Sequence, residues 1–170
     1  MIKKFDEFLN ENKREYGCAM AFFDSDNWNS ITSLVNKEDL HNKGLENEIH
    51  VTLLFGLHDD INEDQLFSML KTFPAISVFV NKFSIFENDE FDILKFDVKN
   101  NLLNSLNKQL TDNFEYTTNH PDYHPHITVA YLKKGTGKKY NNYKLADPIK
   151  LTSTKYVYSD KNSKQTIINI

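Results

Sequence analysis

The sequence is poor in cysteine and has no long apolar run. Its single cysteine, Cys18, can form no intramolecular disulfide, which excludes a secreted disulfide scaffold and a cysteine-rich zinc module. No apolar segment approaches the roughly 20 residues of a membrane-spanning helix. Acidic residues at positions 6 and 7 stand where a signal peptide would be apolar. We therefore expect a soluble cytoplasmic protein without membrane contact, and nothing predicts a stable protein partner.

An excess of positive charge is also missing. Twenty Lys and Arg residues stand against 24 Asp and Glu, for a formal net charge of −4. This argues against a protein that coats nucleic acid with its whole surface. Residues 133–170 nevertheless hold nine lysines and only two aspartates. Such lysines are most often solvated surface groups, and the alternative is a local anion site in which Lys138 and Lys139 bind substrate.

No linker or low-complexity segment divides the chain, so we predict one domain over residues 1–170. Periodicity and breaker residues predict mixed helices and strands without strict βαβ alternation. The predicted strands are residues 16–23, 50–55, 76–86, 91–98, 126–132, 149–159 and 165–170. The predicted helices are residues 3–15, 28–35, 62–73 and 100–113. Caps are expected from the 24–27 cluster and Asn62, and the last helix is expected to bury Leu102, Leu103, Leu106 and Leu110.

Two short segments, His50-Val51-Thr52-Leu53 and His126-Ile127-Thr128-Val129, are near copies of each other, 76 residues apart. Each lies in an apolar run that predicts a strand. Because residues two apart point to the same face of a strand, each histidine leaves the sheet together with its threonine. The apolar neighbours in these runs, Tyr131 included, are expected to face the core. If the strands meet, two imidazoles and two hydroxyls face one groove.

This set of groups suits an in-line phosphodiester reaction. Such a reaction needs a base for the attacking oxygen and an acid for the leaving oxygen. Histidine can serve as either, because its unperturbed pKa is about 6.5. The threonine hydroxyls can donate hydrogen bonds to the non-bridging oxygens, where charge collects in the transition state. This scheme requires no metal ion and no cofactor.

Two other interpretations compete with this one. A single histidine on a strand is usually structural, and a threonine two residues along is ordinary strand composition. That explanation is weaker for two matching segments. The other competitor is a zinc site formed by His120, His124 and His126. Pro125 and the surrounding loop account for that cluster locally, and no carboxylate motif accompanies it.

The two segments and their surroundings resemble the 2H phosphoesterase superfamily, the 2′,5′ RNA ligase-like and cyclic phosphodiesterase-like proteins. The resemblance extends over residues 18–23, 50–56 and 123–131, including Pro125 before the second histidine. It implies a bilobal, pseudo-twofold α+β fold, with two mainly antiparallel sheets around a central groove and helices outside. It also implies that His50 and His126 are the acid and base and that Thr52 and Thr128 hold the phosphate. Which histidine is the acid stays open.

Residues 44–52 and 126–140 look most like phage-encoded members of the superfamily. One such branch degrades the cyclic di- and trinucleotides of bacterial anti-phage (CBASS) signalling, so this resemblance implies a counter-defence phosphodiesterase in the host cytoplasm. Nucleotide bases would need stacking surfaces. Tyr16, Phe22 and Tyr158 are the candidates, because they lie on predicted strands or at strand ends near the groove.

Three functions therefore stand as hypotheses. The first is metal-independent hydrolysis of a cyclic nucleotide or cyclic oligonucleotide. The second is a related enzyme that hydrolyses 2′,3′-cyclic phosphates or joins RNA ends. The third is a non-catalytic protein that sequesters a nucleotide.

Overall fold

The computed structural model describes residues 15–170, so the predicted helix at residues 3–15 lies outside the described residues except for Glu15. The strands of this part of the chain are β1 (Gly17–Asp24), β2 (Leu40–Leu45), β3 (His50–Leu57), β4 (Ser77–Glu87), β5 (Phe91–Asp97), β6 (His126–Lys133), β7 (Lys144–Ser159) and β8 (Gln165–Asn169). The helices are α1 (Trp28–Thr32), α2 (Glu63–Thr72) and α3 (Asn101–Asn113), and 3₁₀ turns span Lys37–Asp39 and Thr136–Lys139. All seven predicted strands and the three predicted helices within this part are confirmed.

The strands pair in the order β2-β6-β5-β4-β7-β1-β3, and β8 pairs with β7. Every pairing is antiparallel. In this order each histidine strand is followed inwards by two further strands: β6 by β5 and β4, and β3 by β1 and β7. The sheet therefore has two similar halves, a first half (β1, β3, β7, β8) and a second half (β2, β4, β5, β6). The histidine strand β3 is the edge of the first half, whereas in the second half β2 pairs outside the histidine strand β6.

Strand β4 joins the two halves because it pairs with a different strand along each part of its length. Residues 77–82 pair with β7, whereas residues 83–87 pair with β5. The two predicted sheets thus share strand β4 and are hydrogen-bonded into one continuous eight-stranded sheet. No helix among residues 15–170 combines the length and the apolar character needed to cross a membrane.

The helices are ordered by their caps and by their apolar stripes. The Asn62 side chain accepts a hydrogen bond from Gln65 N at the start of α2, and Asn100 accepts from Leu102 N and Leu103 N at the start of α3. Helix α3 buries Leu103, Leu106 and Leu110, but Leu102 is 39% exposed, so its predicted burial is wrong. At α1 the cap position is Asn27, whose side chain makes no capping bond.

Strand β2 was not predicted from the sequence. Its central residues, His41 to Gly44, are polar or flexible and carry no apolar alternation. It pairs with β6 only through Leu40–Leu132 and Leu45–Ala130. An edge strand of this kind is defined by its tertiary partner more than by its own composition.

Candidate active site

Each histidine segment begins a strand and presents its polar residues away from the core. His50 opens β3 and His126 opens β6. The intervening Val51 and Leu53, like Ile127 and Val129, are 0% exposed, whereas the two threonines are partly exposed. The predicted alternation between motif face and core face is thus present in both segments up to Val129.

The two imidazoles are oriented in the same way. His50 Nδ1 lies 2.9 Å from the carbonyl oxygen of Glu48, and His126 Nδ1 lies 3.0 Å from that of His124. A carbonyl oxygen can only accept, so Nδ1 carries the proton and donates it in both rings. In the neutral ring Nε2 then holds the lone pair, which is the form a general base needs.

Strands β3 and β6 are separated by four strands in the sheet order, yet they approach each other until Cα atoms of the two lie within 8 Å. The Tyr123 hydroxyl, in the loop before β6, donates to the Thr52 carbonyl at 3.0 Å. The backbone N–H of Glu46, just before β3, donates to the Val129 carbonyl at 2.9 Å. The curvature of the sheet thus brings the two histidine segments together.

The repeat between the two segments extends beyond four residues. Both strands are irregular directly after the threonine, where the pairing with β1 skips Leu53 and the pairing with β5 skips Val129. Such bulges return the next aromatic residue to the motif face. Phe55 therefore packs with Cys18, Met20 and Phe22, and Tyr131 packs with Phe91 and Ile93.

The prediction that Tyr131 faces the main core is therefore wrong. It is only 4% exposed, but it lies in a small cluster on the same side of the sheet as His126 and Thr128. The reason is the bulge at Val129, which a strict two-residue period cannot anticipate. Tyr131 thus lies on the motif face of the second half, in the cluster with Phe91 and Ile93.

The neighbouring strands give the two motifs different surroundings. On β1, Phe22 lies opposite His50 and Met20 lies opposite Thr52. On β5, Asp97 lies opposite His126 and Lys95 lies opposite Thr128. The first motif thus has apolar neighbours and the second has charged ones. Sequence reasoning did not identify Lys95 or Asp97, although their alternation with the buried Leu94 and Phe96 was a signal that they share a face.

Electrostatics at His126 reflect this difference. Burial, and to a smaller extent the positive charge of Lys95 and the neighbouring His50, hold the pKa of His126 below its usual value. The hydrogen bond with the His124 carbonyl and the charge of Asp97 act in the opposite direction. Burial alone would raise the pKa of Asp97, but hydrogen bonds from Lys95 and Ser84 outweigh it and keep that pKa below its usual value. At neutral pH, His126 is therefore neutral and Asp97 is ionised.

Phe22, a predicted stacking surface, lies beside His50, but little of its ring is exposed. Its ring stacks on His50 with centroids 5.4 Å apart, the ammonium of Lys155 lies 5.0 Å from its centroid, and the residue is 8% exposed. Phe22 therefore packs against the His50 ring and leaves little ring surface on which a nucleotide base could stack.

The other two aromatic candidates lie elsewhere. Tyr158 is 2% exposed and packs against Phe67 in the main core, so the prediction that it stacks on a base is wrong. Tyr16 precedes β1, at the end opposite to Phe22, and its ring stacks on His58 at 5.4 Å. It lies six positions before Phe22, or about 20 Å away along an extended strand.

Lys138 and Lys139 are also remote from the histidines. They lie in the 3₁₀ turn after β6, whereas His126 begins that strand, about 23 Å away at the rise of an extended chain. Lys139 donates to the Asp39 carboxylate at 2.8 Å, and this bond, with one from Tyr140, holds the pKa of Asp39 below its usual value. The predicted anion site is wrong: strand β6 carries these lysines away from the motif that they follow in sequence.

We accordingly expect Lys138→Gln to leave kcat/KM and its dependence on salt unchanged. The exposed Lys138 lies too far from the histidines for its charge to act through screening electrolyte. Steady-state kinetics at several ionic strengths measure this. A weaker salt dependence in the variant would restore the lysine-rich turn as a substrate-binding element.

The alternative zinc cluster is not assembled. Within residues 15–170, the set of three His, Cys, Asp or Glu side chains whose ligand atoms all lie within 4.8 Å is His58, Asp60 and Glu115. His120 and His124 do not converge with His126 in this way. That set, in which His58 is partly buried and the two carboxylates are exposed, lies beyond the end of β3 opposite to His50.

Two cavities lie beside the histidine segments, one next to each. The larger, of about 770 Å³, has Asp97, Tyr123 and His124 among its lining residues. The smaller, of about 340 Å³, is lined in part by Phe22, Glu48 and Lys155. Each cavity includes the residue whose carbonyl orients one histidine, so one cavity adjoins each motif.

Comparison with known proteins relates the chain to one family. The family model described as anti-CBASS protein Acb1 matches residues 18–165. No curated protein matches the sequence at a significant level.

Among solved structures, E. coli LigT complexed with 3′-AMP is similar over 91% of this chain and 95% of that one, with 12% identity and a TM-score of 0.56. A structure described as a phosphoesterase is similar over 92% of this chain and 95% of that one, with 13% identity and a TM-score of 0.51. At this identity the likeness concerns the fold, and it confirms the predicted α+β class with two antiparallel halves.

Proposed function

The chain belongs to the family of the anti-CBASS protein Acb1 and is a 2H-type phosphodiesterase, and we propose that it hydrolyses cyclic oligonucleotides without a metal ion. The observation that carries this proposal is the pair of equivalent imidazoles, each with Nδ1 bonded to the carbonyl two residues earlier. In this proposal His50 and His126 are the acid and base, and Thr52 and Thr128 bind the phosphate.

The first chemical step uses the ribose of the substrate itself. One imidazole Nε2 takes the proton of the 2′-hydroxyl, whose oxygen attacks the adjacent phosphorus. The bond from phosphorus to the 5′-oxygen breaks, and the other imidazole gives its proton to that oxygen. The ring opens to a linear nucleotide with a 2′,3′-cyclic phosphate, and each histidine has exchanged its protonation state.

The second step restores the enzyme. The histidine that lost its proton now takes one from water, and the water oxygen attacks the 2′,3′-cyclic phosphate. The histidine that gained a proton returns it to the departing ribose oxygen. Throughout, the threonine hydroxyls donate to the non-bridging oxygens, whose charge is greatest in the transition state. Each of these proton transfers is between a histidine and either the substrate or the attacking water.

The shape of the site favours a substrate with nucleosides on both sides of phosphorus. One cavity adjoins each motif: the cavity of about 770 Å³ is lined by residues next to His126, and the cavity of about 340 Å³ by residues next to His50. A terminal 2′,3′-cyclic phosphate has a base on one side only, whereas every phosphate of a cyclic oligonucleotide joins two nucleosides. This supports a cyclic oligonucleotide as the preferred substrate, rather than a terminal 2′,3′-cyclic phosphate.

A substrate panel in the presence of EDTA tests the proposal. We expect cyclic dinucleotides and trinucleotides to be hydrolysed with a higher kcat/KM than 2′,3′-cyclic AMP, and we expect the chelator to change neither rate. Separation of the products by anion-exchange chromatography should detect a 2′,3′-cyclic phosphate before the final monoester. Each rate is measured before and after addition of zinc or magnesium to chelated protein.

Each alternative gives a different result. A higher kcat/KM for the 2′,3′-cyclic phosphate would favour the RNA-end reaction, which suits a fold shared with a LigT structure that holds 3′-AMP. Stoichiometric binding without turnover would mean sequestration. Loss of turnover in EDTA with recovery on adding metal would contradict the metal-free mechanism.

A further inference from the structure

Strand β5 places a lysine beside the second motif. Lys95 lies directly opposite Thr128, and Asp97 lies directly opposite His126. Residues directly opposite in an antiparallel pair project from the same face of the sheet, with Cβ atoms about 5 Å apart. The Lys95 side chain therefore rises next to the Thr128 hydroxyl on the motif face.

This lysine is held in place by its neighbours. Its ammonium donates to Ser84 Oγ at 3.0 Å and to the Asp97 carboxylate, and only 15% of its side chain is exposed. Ser84 lies opposite Lys95 on β4, so the bond joins two adjacent strands. An ammonium group has three protons, and these two bonds use two of them. A third proton remains for a substrate oxygen, on a side chain that the site has already fixed.

Within residues 15–170, no cation stands opposite Thr52 in the first half as Lys95 stands opposite Thr128. There Met20 stands opposite Thr52, and the apolar cluster of Cys18, Met20, Phe22 and Val157 covers the face. Lys155 is the nearest cation by register, opposite Phe22 on β7, but its ammonium lies over the Phe22 ring. The two halves therefore differ in the charge next to the motif threonine: a lysine stands opposite Thr128 and a methionine opposite Thr52.

We propose that Lys95 is a further catalytic residue, which donates to a non-bridging phosphate oxygen beside Thr128 and neutralises the charge that collects there in the transition state. This inference rests on the proposed binding of the phosphate between the two motifs. It does not depend on whether the phosphate belongs to a ring or to an RNA terminus. Asp97 is a positioning residue, because it acts by holding the Lys95 ammonium.

The same asymmetry assigns the proton transfers of the first step. The His126 ring is largely buried, and the Lys95 ammonium lies on the same face beside Thr128. Both disfavour a second positive charge on this ring, which suits His126 to the role of base. His50, which stacks on Phe22 and has no cation directly opposite it, then acts as the acid. Removal of the Lys95 charge raises the pKa of His126, and the acidic limb of the kcat/KM profile moves to higher pH. A lysine whose charge does not act on His126 would leave that limb in place.

The test compares Lys95→Met and Lys95→Arg with the wild type. Methionine keeps the apolar stem without the charge, and arginine keeps the charge. We expect Lys95→Met to lower kcat/KM by about 10²-fold, in the range of lost oxyanion contacts, and to shift the acidic limb to higher pH. Lys95→Arg should recover part of the rate and the wild-type limb. The matched control is Lys108→Met, which breaks an exposed lysine–aspartate pair on α3 and should change neither quantity.

Inorganic phosphate provides a readout independent of turnover. Lys95→Met should weaken phosphate binding measured by calorimetry, whereas Lys108→Met should not. A Lys95→Met protein that keeps wild-type phosphate affinity, kcat/KM and acidic limb would overturn the inference. Circular dichroism and the thermal midpoint identify a variant that fails to fold, in which case Lys95→Arg and Lys95→Gln carry the comparison.

The kinetic arms use both a cyclic dinucleotide and 2′,3′-cyclic AMP. If the wild type cleaves only 2′,3′-cyclic AMP, the cyclic-oligonucleotide proposal fails, while the Lys95 effect is still measured on the substrate that reacts. If the wild type cleaves both and Lys95→Met does so equally well, the Lys95 inference fails alone. The two failures are therefore distinguishable.

Discussion

Replacement of His126 by alanine is expected to lower kcat/KM by about 10²–10⁴-fold, which is the usual contribution of a positioned acid or base. His50→Ala should cause a loss of the same order, because neither proton transfer can proceed without its partner. The double variant should be scarcely worse than either single one, since the two groups act as a unit. Steady-state kinetics at saturating and limiting substrate measure all three.

His120→Ala is the matched control for this pair of variants. Its side chain is exposed and lies in the loop before β6, outside the two motifs. The acid–base mechanism predicts wild-type activity for this variant, whereas a zinc site at His120, His124 and His126 predicts its loss. Wild-type turnover by His126→Ala would refute the proposed roles of both histidines.

The largest effect on stability is expected at Gly56, near the end of β3. Its φ of 98° lies in the region that favours glycine, and a Cβ atom there would come within 1.9 Å of the Thr117 carbonyl oxygen. That oxygen belongs to a segment bonded to β3, because Thr117 N donates to the Gly56 carbonyl at 2.9 Å. Strain and overpacking together should cost Gly56→Ala about 3 kcal/mol or more of the free energy of unfolding.

The measurement is urea denaturation, with Gly135→Ala as the control. Gly135 also has a positive φ, of 83°, but a Cβ there meets nothing within 4 Å. It should therefore lose only the conformational part, about 1–2 kcal/mol. Equal losses in the two variants would show that the approach of Thr117 to β3 adds no cost.

Most strands and helices were predictable because local pattern determines them. Helix α3 has a cap at Asn100 and leucines at helical spacing, and β3 and β6 are apolar runs. Leu102 was misassigned because it lies beside the buried stripe without belonging to it. Strand β2 escaped prediction because its polar residues are ordered by β6 and by no periodicity of their own.

The motif side chains were predictable as a pair, but their surroundings were not. Lys95 and Asp97 reach the site through cross-strand register, which one sequence does not specify. Tyr131 was misplaced because a bulge shifts the strand period. Lys138 and Lys139 follow the second motif in sequence, yet a full strand separates them from it. For these two lysines, closeness in sequence to the second motif did not mean closeness in space.

Each half of the sheet is built from strands that are distant in the sequence, and this has a consequence for synthesis on the ribosome. Strands β1 and β3 carry the first motif and emerge early, but β1 also needs β7, which ends at Ser159. A pair of strands alone is marginally stable in water, so the first motif stays incomplete until nearly the whole chain has been translated. Pairings between such distant residues also slow folding. We therefore expect no activity from a nascent chain that stops before β7, even though it contains both histidines.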